Sequence, residues 1–367
     1  MTKCCVALLG RPDMPTDAVE SYCRYLSDAL EKHGISLELM RVRWAEGDWQ
    51  EALREVRKKA EEHRGCWFLV QYTALAWSRR GFPLRVLKLI QYVRNCGARC
   101  AVVFHDAIPY GGARMIDRLR RGLQVKVMQR SLRSADLAIF LVPPGKVPWI
   151  QKGSQNIVFI PAGANLPAPE WAWSMKKKAG ATTVCVFSVT GDCAGWHEME
   201  RIELAVRYAS QRVGKLRLVI VGRNSDEAGH ELQQRLAGVG VEIVVHGILP
   251  AEEIVRALGS CHAMLFTRGG ISTRRSSAIA GIACGLPIIA SEGPETAAPL
   301  MEAGIVLLPT GAKDEFGPAL VRVLTDDAFR EALAKRSRLA QERYFSWSAI
   351  AAQYAEALRS EETAHGN

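Results

Sequence analysis

The amino-acid sequence predicts an α/β protein made of two doubly wound parallel-sheet domains that face each other across a cleft. Short apolar runs alternate with helical stretches along the whole chain, and this alternation occurs in two successive passes. Continuous apolar strands separated by helices are typical of parallel sheets that are covered on both faces. A length of 367 residues also favours two domains over one.

The first pass contains six apolar runs with helical stretches between them. Gly34 ends the first helical stretch, in which apolar residues recur at helical spacing. The predicted strands are 4–9, 35–40, 67–72, 101–105, 137–142 and 157–161. The predicted helices are 18–33, 49–63, 84–96 and 114–134.

A linker precedes the second pass. Residues 161–181 mix Pro, Gly and Ala with three lysines, a composition that suits a connecting segment. The predicted strands after it are 184–189, 216–222, 241–247, 263–267, 287–291 and 305–309, and the predicted helices include 278–284 and 328–343. We therefore expect an N-terminal domain at 1–165, a linker at 166–181, a C-terminal domain at 182–345 and a C-terminal helix at 346–367 that packs back toward the first domain.

The composition is that of a soluble globular protein, with 48% hydrophobic and 23% charged residues. No apolar run reaches the roughly 18–20 residues of a membrane span, and the chain enters a strand-like run directly, without a signal-peptide pattern. The ten cysteines lack paired metal-ligand spacing, so we interpret them as reduced thiols of a cytoplasmic protein.

Positive charge is concentrated in the first half of the chain. Residues 1–165 hold 26 Lys and Arg against 15 Asp and Glu, a net charge of +11, whereas residues 166–367 hold 22 against 23. Between residues 77 and 133 there are 13 basic residues, and the acids are Asp106 and Asp117. This excess fits an anionic membrane surface or a phosphate-bearing substrate, with nucleic acid as a less favoured partner. For any single arginine, a solvated helix face is the better explanation of the charge.

Residues 269–293, GGISTRRSSAIAGIACGLPIIASEG, indicate a glycine-rich loop, a short helix and a buried strand. Gly269 and Gly270 allow the backbone to approach a ligand closely. Ser276 and Ser277 both suit the N-cap of the predicted helix 278–284, and the unpaired N–H groups of such a helix start attract anions.

Two adjacent arginines precede this helix. Arg274 and Arg275 can each hold a phosphate by parallel hydrogen bonds, and such donors would stabilise the charge that a leaving diphosphate gains. Solvent-facing arginines are the alternative interpretation. The predicted diphosphate site comprises Gly270, Ser272, Thr273, Arg274, Arg275 and Ser276.

The segment AGIACGLPIIASEG, which starts at Ala280, resembles the EAMACGLPVVAS-GG signature of the GT4-like group 1 glycosyltransferases, which have the GT-B fold. The resemblance continues through VVHGILPAEEIVRALGSCHAMLF, AGIVLLP and FSWSAIAAQY, and in the first half through PTDAVESYCRYLSDALEKHGI and VVFHDAIPY. Their order and spacing cover nearly the whole chain. The resemblance implies that a sugar moves from a nucleotide-diphosphate donor to an acceptor hydroxyl with retained configuration, without a metal or another cofactor.

Several family residues are absent. Two family glutamates separated by seven residues fall on Ser272 and Ala280, and the family's diphosphate-binding Arg and Lys are missing from SVTGDCAGWHEME. The opening loop has Asp17 and Ala18 where the family has paired glycines. These departures keep two alternatives open: a catalytically impaired nucleotide-sugar-binding subunit, or a GT-B enzyme of another type, such as an epimerase or a pseudoglycosyl coupling enzyme.

The resemblance also assigns roles in the first domain. His105, at the end of a strand, would approach the donor sugar, and Asp106 would position it or contact an acceptor hydroxyl. Asp17 and His197 are further candidates for the cleft. The sequence has no Asp-x-Asp, and its eight histidines are dispersed, so we expect no metal in the sugar-transfer chemistry.

The residues that directly follow strands are the other candidates, because ligands of doubly wound sheets bind outside the carboxyl ends of the strands. On this basis Gly247, Ile248 and Arg223 are expected near the nucleobase and ribose. The basic first domain, expected to bind the acceptor, predicts a lipid-linked or otherwise anionic acceptor at the inner membrane face. Polysaccharide or glycolipid assembly and metabolite glycosylation both fit such an acceptor.

Overall fold

The computed structural model describes residues 3–112, 114–151, 153–175 and 180–364. The chain divides into two compact units: unit 1 is Met1–Pro161 with Trp347–Asn367, and unit 2 is Ala162–Ser346. Each unit contains a six-stranded sheet, and all the strand pairs are parallel. The predicted α/β fold class is therefore confirmed.

Unit 1 has the strand order β2–β1–β3–β4–β5–β6. Its strands are β1 (Lys3–Leu9), β2 (Ile35–Arg41), β3 (Trp67–Tyr72), β4 (Arg99–Phe104), β5 (Leu137–Phe140) and β6 (Ile157–Phe159). Its helices are α1 (Ala18–Glu31), α2 (Trp49–Glu62), α3 (Arg85–Asn95), α4 (Met115–Ser134) and, after unit 2, α11 (Trp347–Ala364).

Aromatic contacts attach α11 to the rest of unit 1. The hydroxyl groups of Tyr22 on α1 and Tyr354 on α11 form a buried hydrogen bond of 2.9 Å. Tyr25 stacks on Trp347 with ring centroids 5.7 Å apart. Because these contacts lie inside the unit, residues more than 300 positions apart in sequence share one core.

Unit 2 has the strand order β12–β11–β10–β7–β8–β9. Its strands are β7 (Thr182–Phe187), β8 (Leu216–Val221), β9 (Val241–Val245), β10 (Ala263–Gly270), β11 (Ile288–Ser291) and β12 (Ile305–Leu308). Its helices are α5 (Asp192–Ser210), α6 (Ser225–Arg235), α7 (Ala251–Gly259), α8 (Ser276–Ala283), α9 (Phe316–Thr325) and α10 (Asp327–Ala340).

The observed elements agree with the predicted ones except at some ends. β10 continues to Gly270, beyond the predicted end at residue 267, because its last residue still pairs with Ser291 of β11. The predicted helix 328–343 ends as α10 at Ala340 and is followed by a π-helical turn, Gln341–Phe345. In the predicted linker, the 3-10 helix Pro169–Ser174 belongs to unit 2, where Trp173 donates to the carbonyl of Ala283, and residues 176–179 lie outside the described residues.

The apolar residues in and next to α3 and α4 divide into a buried and an exposed set. Ile90 and Val127 are buried. The side chains of Leu84, Met115 and Leu119 are instead 49%, 87% and 63% exposed. The first turns of α4 therefore present an apolar surface to solvent. In the part of the chain that the structure describes, every helix is too short or too polar to cross a bilayer.

Asp17 lies at the start of α1 as its N-cap. Its Oδ1 accepts hydrogen bonds of 3.1 Å from the backbone N–H groups of Val19 and Glu20, and its Oδ2 pairs with Arg41 at 3.0 Å. These bonds satisfy two donors that a helix start leaves unpaired. Asp17 therefore has a local structural role, whereas its expected place in a cleft stays a prediction.

Asp17→Ala should lower the unfolding free energy by about 1–2 kcal/mol, because the cap and the ion pair are both lost. Asp48→Ala is the matched control, since Asp48 is the N-cap of α2 and makes no side-chain capping bond. Urea unfolding followed by circular dichroism measures the unfolding free energy of both variants. Equal losses in the two variants would contradict the capping role, and a loss of turnover at unchanged stability would place Asp17 among the functional residues.

Candidate functional site

The carboxyl edge of the unit 2 sheet brings three polar residues together. β10, β7 and β8 are consecutive neighbours in the sheet, and all run in the same direction. Arg268 lies near the end of β10, Thr190 follows β7 and Arg223 follows β8. The Nε of Arg268 donates a hydrogen bond of 3.4 Å to the Oγ1 of Thr190.

The guanidinium of Arg268 is held in a desolvated position. Burial lowers its pKa, the carboxylate of Glu198 raises it, and the positive charge of Arg223 lowers it again. Arg268 keeps its charge nonetheless, because a guanidinium does not lose its proton in proteins. Two cations close together in a poorly solvated site favour the binding of an anion.

Glu198 and Arg201 of α5 organise the loops of this edge. Glu198 is buried, and its Oε2 accepts a hydrogen bond of 2.9 Å from the backbone N–H of Thr190. Arg201 donates to the carbonyl of Thr267 at 3.2 Å. These bonds tie the loop after β7 and the end of β10 to α5.

The loop after β8 is tied to the loop after β7. The N–H of Arg223 donates to the Oγ of Ser188 at 3.3 Å, and its carbonyl accepts from the N–H of Val189 at 3.1 Å. Asn224 has the left-handed conformation with φ 58°. Its side-chain Nδ2 donates a hydrogen bond of 3.0 Å to the carbonyl of Val189. The position of Arg223 is therefore fixed through its backbone.

The backbone at Gly270 leaves no room for a side chain. A Cβ at this position would lie 2.4 Å from the Cα of Gly293. The predicted reason for Gly270 was close approach to a ligand, and the structure shows close approach to another part of the chain. Ile271 then donates its N–H to the carbonyl of Ser291 at 3.0 Å, which holds the loop against β11.

Ser272 and Thr273 are fully buried in the loop between β10 and α8. The carbonyl of Thr273 accepts a hydrogen bond of 3.0 Å from the N–H of Ala162. The Oγ of Ser272 has no hydrogen-bond partner in the described part of the chain. A buried hydroxyl without a partner costs about 1–3 kcal/mol, so a bound group that supplies one would be favoured.

Arg274 is engaged within unit 2. Its Nε donates to both carboxylate oxygens of the buried Glu295, at 3.0 and 2.9 Å. This ion pair balances the charge of Arg274 internally and weakens its attraction for a phosphate. Arg275 occupies the N-cap position of α8, and it makes no side-chain capping bond.

α8 begins two residues earlier than predicted, so the predicted capping role of Ser276 is wrong. Ser276 is the first residue of the helix, and its side chain is half-buried. The following residues of α8, from Ser277 to Ala283, are all buried. Ala280, which stands where the resembled family has its second glutamate, is therefore surrounded by the protein interior.

Gly247 and Ile248 follow β9. Gly247 has φ 65°, a conformation that favours glycine, and its carbonyl accepts a hydrogen bond of 2.7 Å from the N–H of Gly222. Ile248 has a side chain that is 49% exposed. The carbonyl of Gly247 thus links the ends of β8 and β9, and the exposed Ile248 offers an apolar surface to a flat ring.

His105, directly after β4 in unit 1, is oriented by two side chains. Its Nε2 lies 2.8 Å from the Oε1 of the buried Gln71, whose Nε2 donates to the carbonyl of Leu69 at 3.2 Å. Because Gln71 presents its oxygen to His105, the imidazole carries a proton on Nε2. The ring of Tyr22 packs edge-on against it, with centroids 5.1 Å apart.

The other two candidates differ in their surroundings. Asp106 is half-buried next to His105, and it acts electrostatically on Tyr72. Burial first, and then the charge of Asp106, raise the pKa of the Tyr72 hydroxyl. His197 is 72% exposed on α5, with its Nδ1 4.0 Å from Glu200. His105, Asp106 and Asp17 belong to unit 1, and the remaining candidates belong to unit 2.

Comparison with known proteins identifies the fold, and a family model matches part of the chain. Residues 190–326 match the family model described as glycosyl transferases group 1. This segment contains Thr190, Arg223, Arg268 and the whole loop before α8. The chain is a GT-B protein, and its similarity to the group 1 glycosyltransferase model is confined to this segment. A search of curated protein sequences finds no match.

Solved GT-B structures resemble the whole chain at low sequence identity. Anabaena Alr3699/HepE in complex with UDP and glucose has a TM-score of 0.68 and 16% identity, over 98% of this chain and 100% of that one. Sucrose-phosphate synthase from Thermosynechococcus elongatus has a TM-score of 0.68 and 17% identity, over 99% and 100%. WaaG, a glycosyltransferase involved in lipopolysaccharide biosynthesis, has a TM-score of 0.63 and 12% identity, over 99% and 100%.

Three residues of this GT-B protein escaped the residue-based predictions: Glu198, Glu295 and Gln71. Arg268 directly follows a predicted strand, and with Arg223 it was the alternative place for the phosphate. The two glutamates and Gln71 have no local signal, because each acts through a partner that is distant in sequence. Their roles depend on the three-dimensional arrangement.

Proposed function

We propose that this GT-B protein is a glycosyltransferase that moves a sugar from a nucleotide-diphosphate donor to an acceptor hydroxyl. The observation that carries the proposal is the pair of guanidinium groups of Arg268 and Arg223 at the carboxyl edge of unit 2. The family match over 190–326 supports sugar transfer from nucleotide-sugar donors, and HepE, a structural neighbour, is in complex with UDP and glucose.

In the proposed complex the donor diphosphate lies at this edge. Arg223 and Arg268 would take the place of the family's missing Arg and Lys, and the N-terminus of α8 with Arg275 and Ser276 would add donors. Charge develops on the diphosphate as the sugar departs, so preorganised cations lower the barrier to that step. The nucleobase would lie beside Gly247 and Ile248.

Retained configuration and a hexose donor are part of the proposal. In place of the first family glutamate, Ser272 offers a buried hydroxyl that lacks a partner in the described part of the chain. A hydroxyl can bond to a sugar or phosphate oxygen, although it cannot balance a positive charge. The proposed reaction therefore relies on the diphosphate side of the transition state more than on a carboxylate near the sugar.

His105 is the proposed contact of the donor sugar. With its Nε2 proton directed to Gln71, the imidazole is held in one tautomer and one orientation. A fixed tautomer gives a defined hydrogen bond to a sugar hydroxyl at the Nδ1 side. Asp106 would contact the acceptor hydroxyl. Gln71 is then a positioning residue, since it acts through His105.

The proposed acceptor is lipid-linked or anionic, and the proposed location is the cytoplasmic face of a membrane. Exposed apolar residues, Met115 and Leu119, stand at the start of α4. Exposed arginines surround them, at positions 114, 118 and 121. An apolar surface with basic neighbours on one helix is typical of proteins that bind the membrane interface.

A binding subunit without transferase activity is the second candidate. The observation that favours it is the burial of Ala280 inside α8, where a ribose-binding carboxylate is lost together with the acid at position 272. A binding subunit would bind nucleotide diphosphates without consuming the donor. A donor-hydrolysis assay separates the two functions, and product analysis detects a different GT-B reaction.

The Arg223→Ala, Arg268→Ala double variant should weaken nucleotide-diphosphate binding at least tenfold, because each charge-assisted hydrogen bond contributes about 1.5–3 kcal/mol. A thermal-shift screen of UDP, GDP, ADP and TDP selects the nucleotide, and calorimetry then gives its Kd. Arg217→Ala is the matched control, since it removes a charge near the amino end of the same strand, β8.

The Arg274→Ala, Arg275→Ala double variant tests the competing arginines. The substitution leaves Glu295 without its partner, so the unfolding temperature of the variant protein is measured together with its Kd. If this variant loses the tenfold affinity while the Arg223 and Arg268 variant keeps it, the diphosphate lies at the loop arginines. Unchanged affinity in both double variants would remove the diphosphate site from this edge.

His105→Ala should lower the rate of donor hydrolysis much more than donor affinity, because its proposed partner is the sugar in the transition state. The hydrolysis rate is measured with a sugar donor of the nucleotide selected above, and calorimetry of the same variant gives the donor affinity. His33→Ala is the control histidine of unit 1. Equal turnover in the parent and in His105→Ala would leave His105 a structural role only.

The protein should bind anionic vesicles and release them as salt rises. Each basic residue near an anionic leaflet contributes about 1 kcal/mol, and physiological salt screens charges beyond about 8 Å. Co-sedimentation with anionic and neutral vesicles across a salt series measures this. Leu119→Ser should reduce binding, whereas Leu339→Ser, at an exposed leucine of α10, should not. Equal partitioning to both vesicle types, or none to either, argues for a soluble acceptor.

A further inference from the structure

Two cysteines and a histidine meet at the amino edge of the unit 1 sheet. Cys4 lies near the start of β1, and Cys66 directly precedes β3, the neighbouring parallel strand. His63 follows α2, and its carbonyl accepts a hydrogen bond of 3.1 Å from the N–H of Cys66. The register that pairs Cys5 with Trp67 also brings the preceding residues, Cys4 and Cys66, side by side.

The three side chains are close enough to share one ion. Their ligand atoms all lie within 4.8 Å of one another, and the Sγ of Cys4 is 3.7 Å from the Nδ1 of His63. Tetrahedral Zn²⁺ with Zn–S near 2.3 Å and Zn–N near 2.05 Å places sulfur and nitrogen about 3.6 Å apart. The separation of the Cys4 Sγ and the His63 Nδ1 therefore already matches that of two zinc ligands.

We propose that Cys4, His63 and Cys66 form a binding site for Zn²⁺ or a similar thiophilic divalent ion. On binding, each thiol transfers its proton to solvent and bonds through sulfur, and neutral His63 bonds through the Nδ1 lone pair. Two thiolates balance the charge of the dication. Water or an external donor takes the fourth position, as in zinc sites with three protein ligands.

The surroundings of the cluster suit a cation. Glu38 of β2 and Lys59 of α2 both act electrostatically on Cys4, and they pair with each other at 2.7 Å. Their opposite charges largely cancel, so a dication meets little repulsion there. All three ligands are half-buried, which leaves the site open to an ion from solvent.

A bound ion would join β1, the end of α2 and the start of β3. These segments meet at the amino edge of the sheet, whereas His105 lies at the carboxyl end of β4. The ion would therefore stabilise unit 1, and it takes no part in the sugar transfer proposed above. Metal affinity of this kind adds directly to folding stability.

The test uses the full chain, reduced and freed of metal, then titrated with Zn²⁺ and separately with Co²⁺. We expect one equivalent of Zn²⁺ by mass spectrometry of metals, a higher unfolding temperature, and thiolate-to-cobalt charge-transfer absorption with Co²⁺. Cys4→Ser, His63→Gln and Cys66→Ser should each weaken Zn²⁺ binding at least tenfold. Cys96→Ser, at another half-buried cysteine of unit 1, should bind as the parent does.

Three results would overturn the proposal. One is the absence of charge-transfer absorption in the parent protein, a reading that does not depend on whether any variant folds. Another is equal loss of Zn²⁺ binding in Cys96→Ser and in the three ligand variants. The last is a Cys4–Cys66 disulfide in the protein isolated with blocked thiols, together with no Zn²⁺ binding after reduction.

Discussion

Parallel pairing of β10, β7 and β8 is the constraint on which the polar edge of unit 2 depends. Strands that run in the same direction must end on the same side, so Arg268 and Arg223 lie close together although they repel each other. The buried Glu198 offsets part of this repulsion, and its bond to Thr190 holds the loop between the two arginines. An anion at this edge would offset the remaining repulsion between the two guanidinium groups.

The strands and helices could be predicted because apolar periodicity is a local property of the sequence. The spatial order of the strands is not local, and it decides which loops become neighbours. Arg268 and Arg223 are 45 positions apart, and only the order β10–β7–β8 shows that they interact. The same limit applies to Cys4 and Cys66, whose spacing matches no metal-binding motif although their strands are adjacent.

Individual side chains were harder to predict than elements, because a residue type does not reveal its partner. The pattern singled out Arg274 for its charge, and the structure pairs that charge with Glu295, 21 positions later. Ser276 was expected to be the N-cap of α8, but it is the first residue of the helix. Arg275, whose backbone is not helical, takes the N-cap position. His105 was found by resemblance, but its orientation depends on Gln71, whose role has no sequence signal.

The return of α11 to unit 1 has a consequence for synthesis on the ribosome. Every residue of unit 2 has been translated before Trp347, so its core can close while unit 1 still lacks a helix. Until α11 arrives, the apolar face of α1 around Tyr22 stays uncovered, because its partner Tyr354 does not yet exist. The unit whose sheet is translated before unit 2 is therefore completed after unit 2, and its uncovered apolar face is prone to aggregation in the interval.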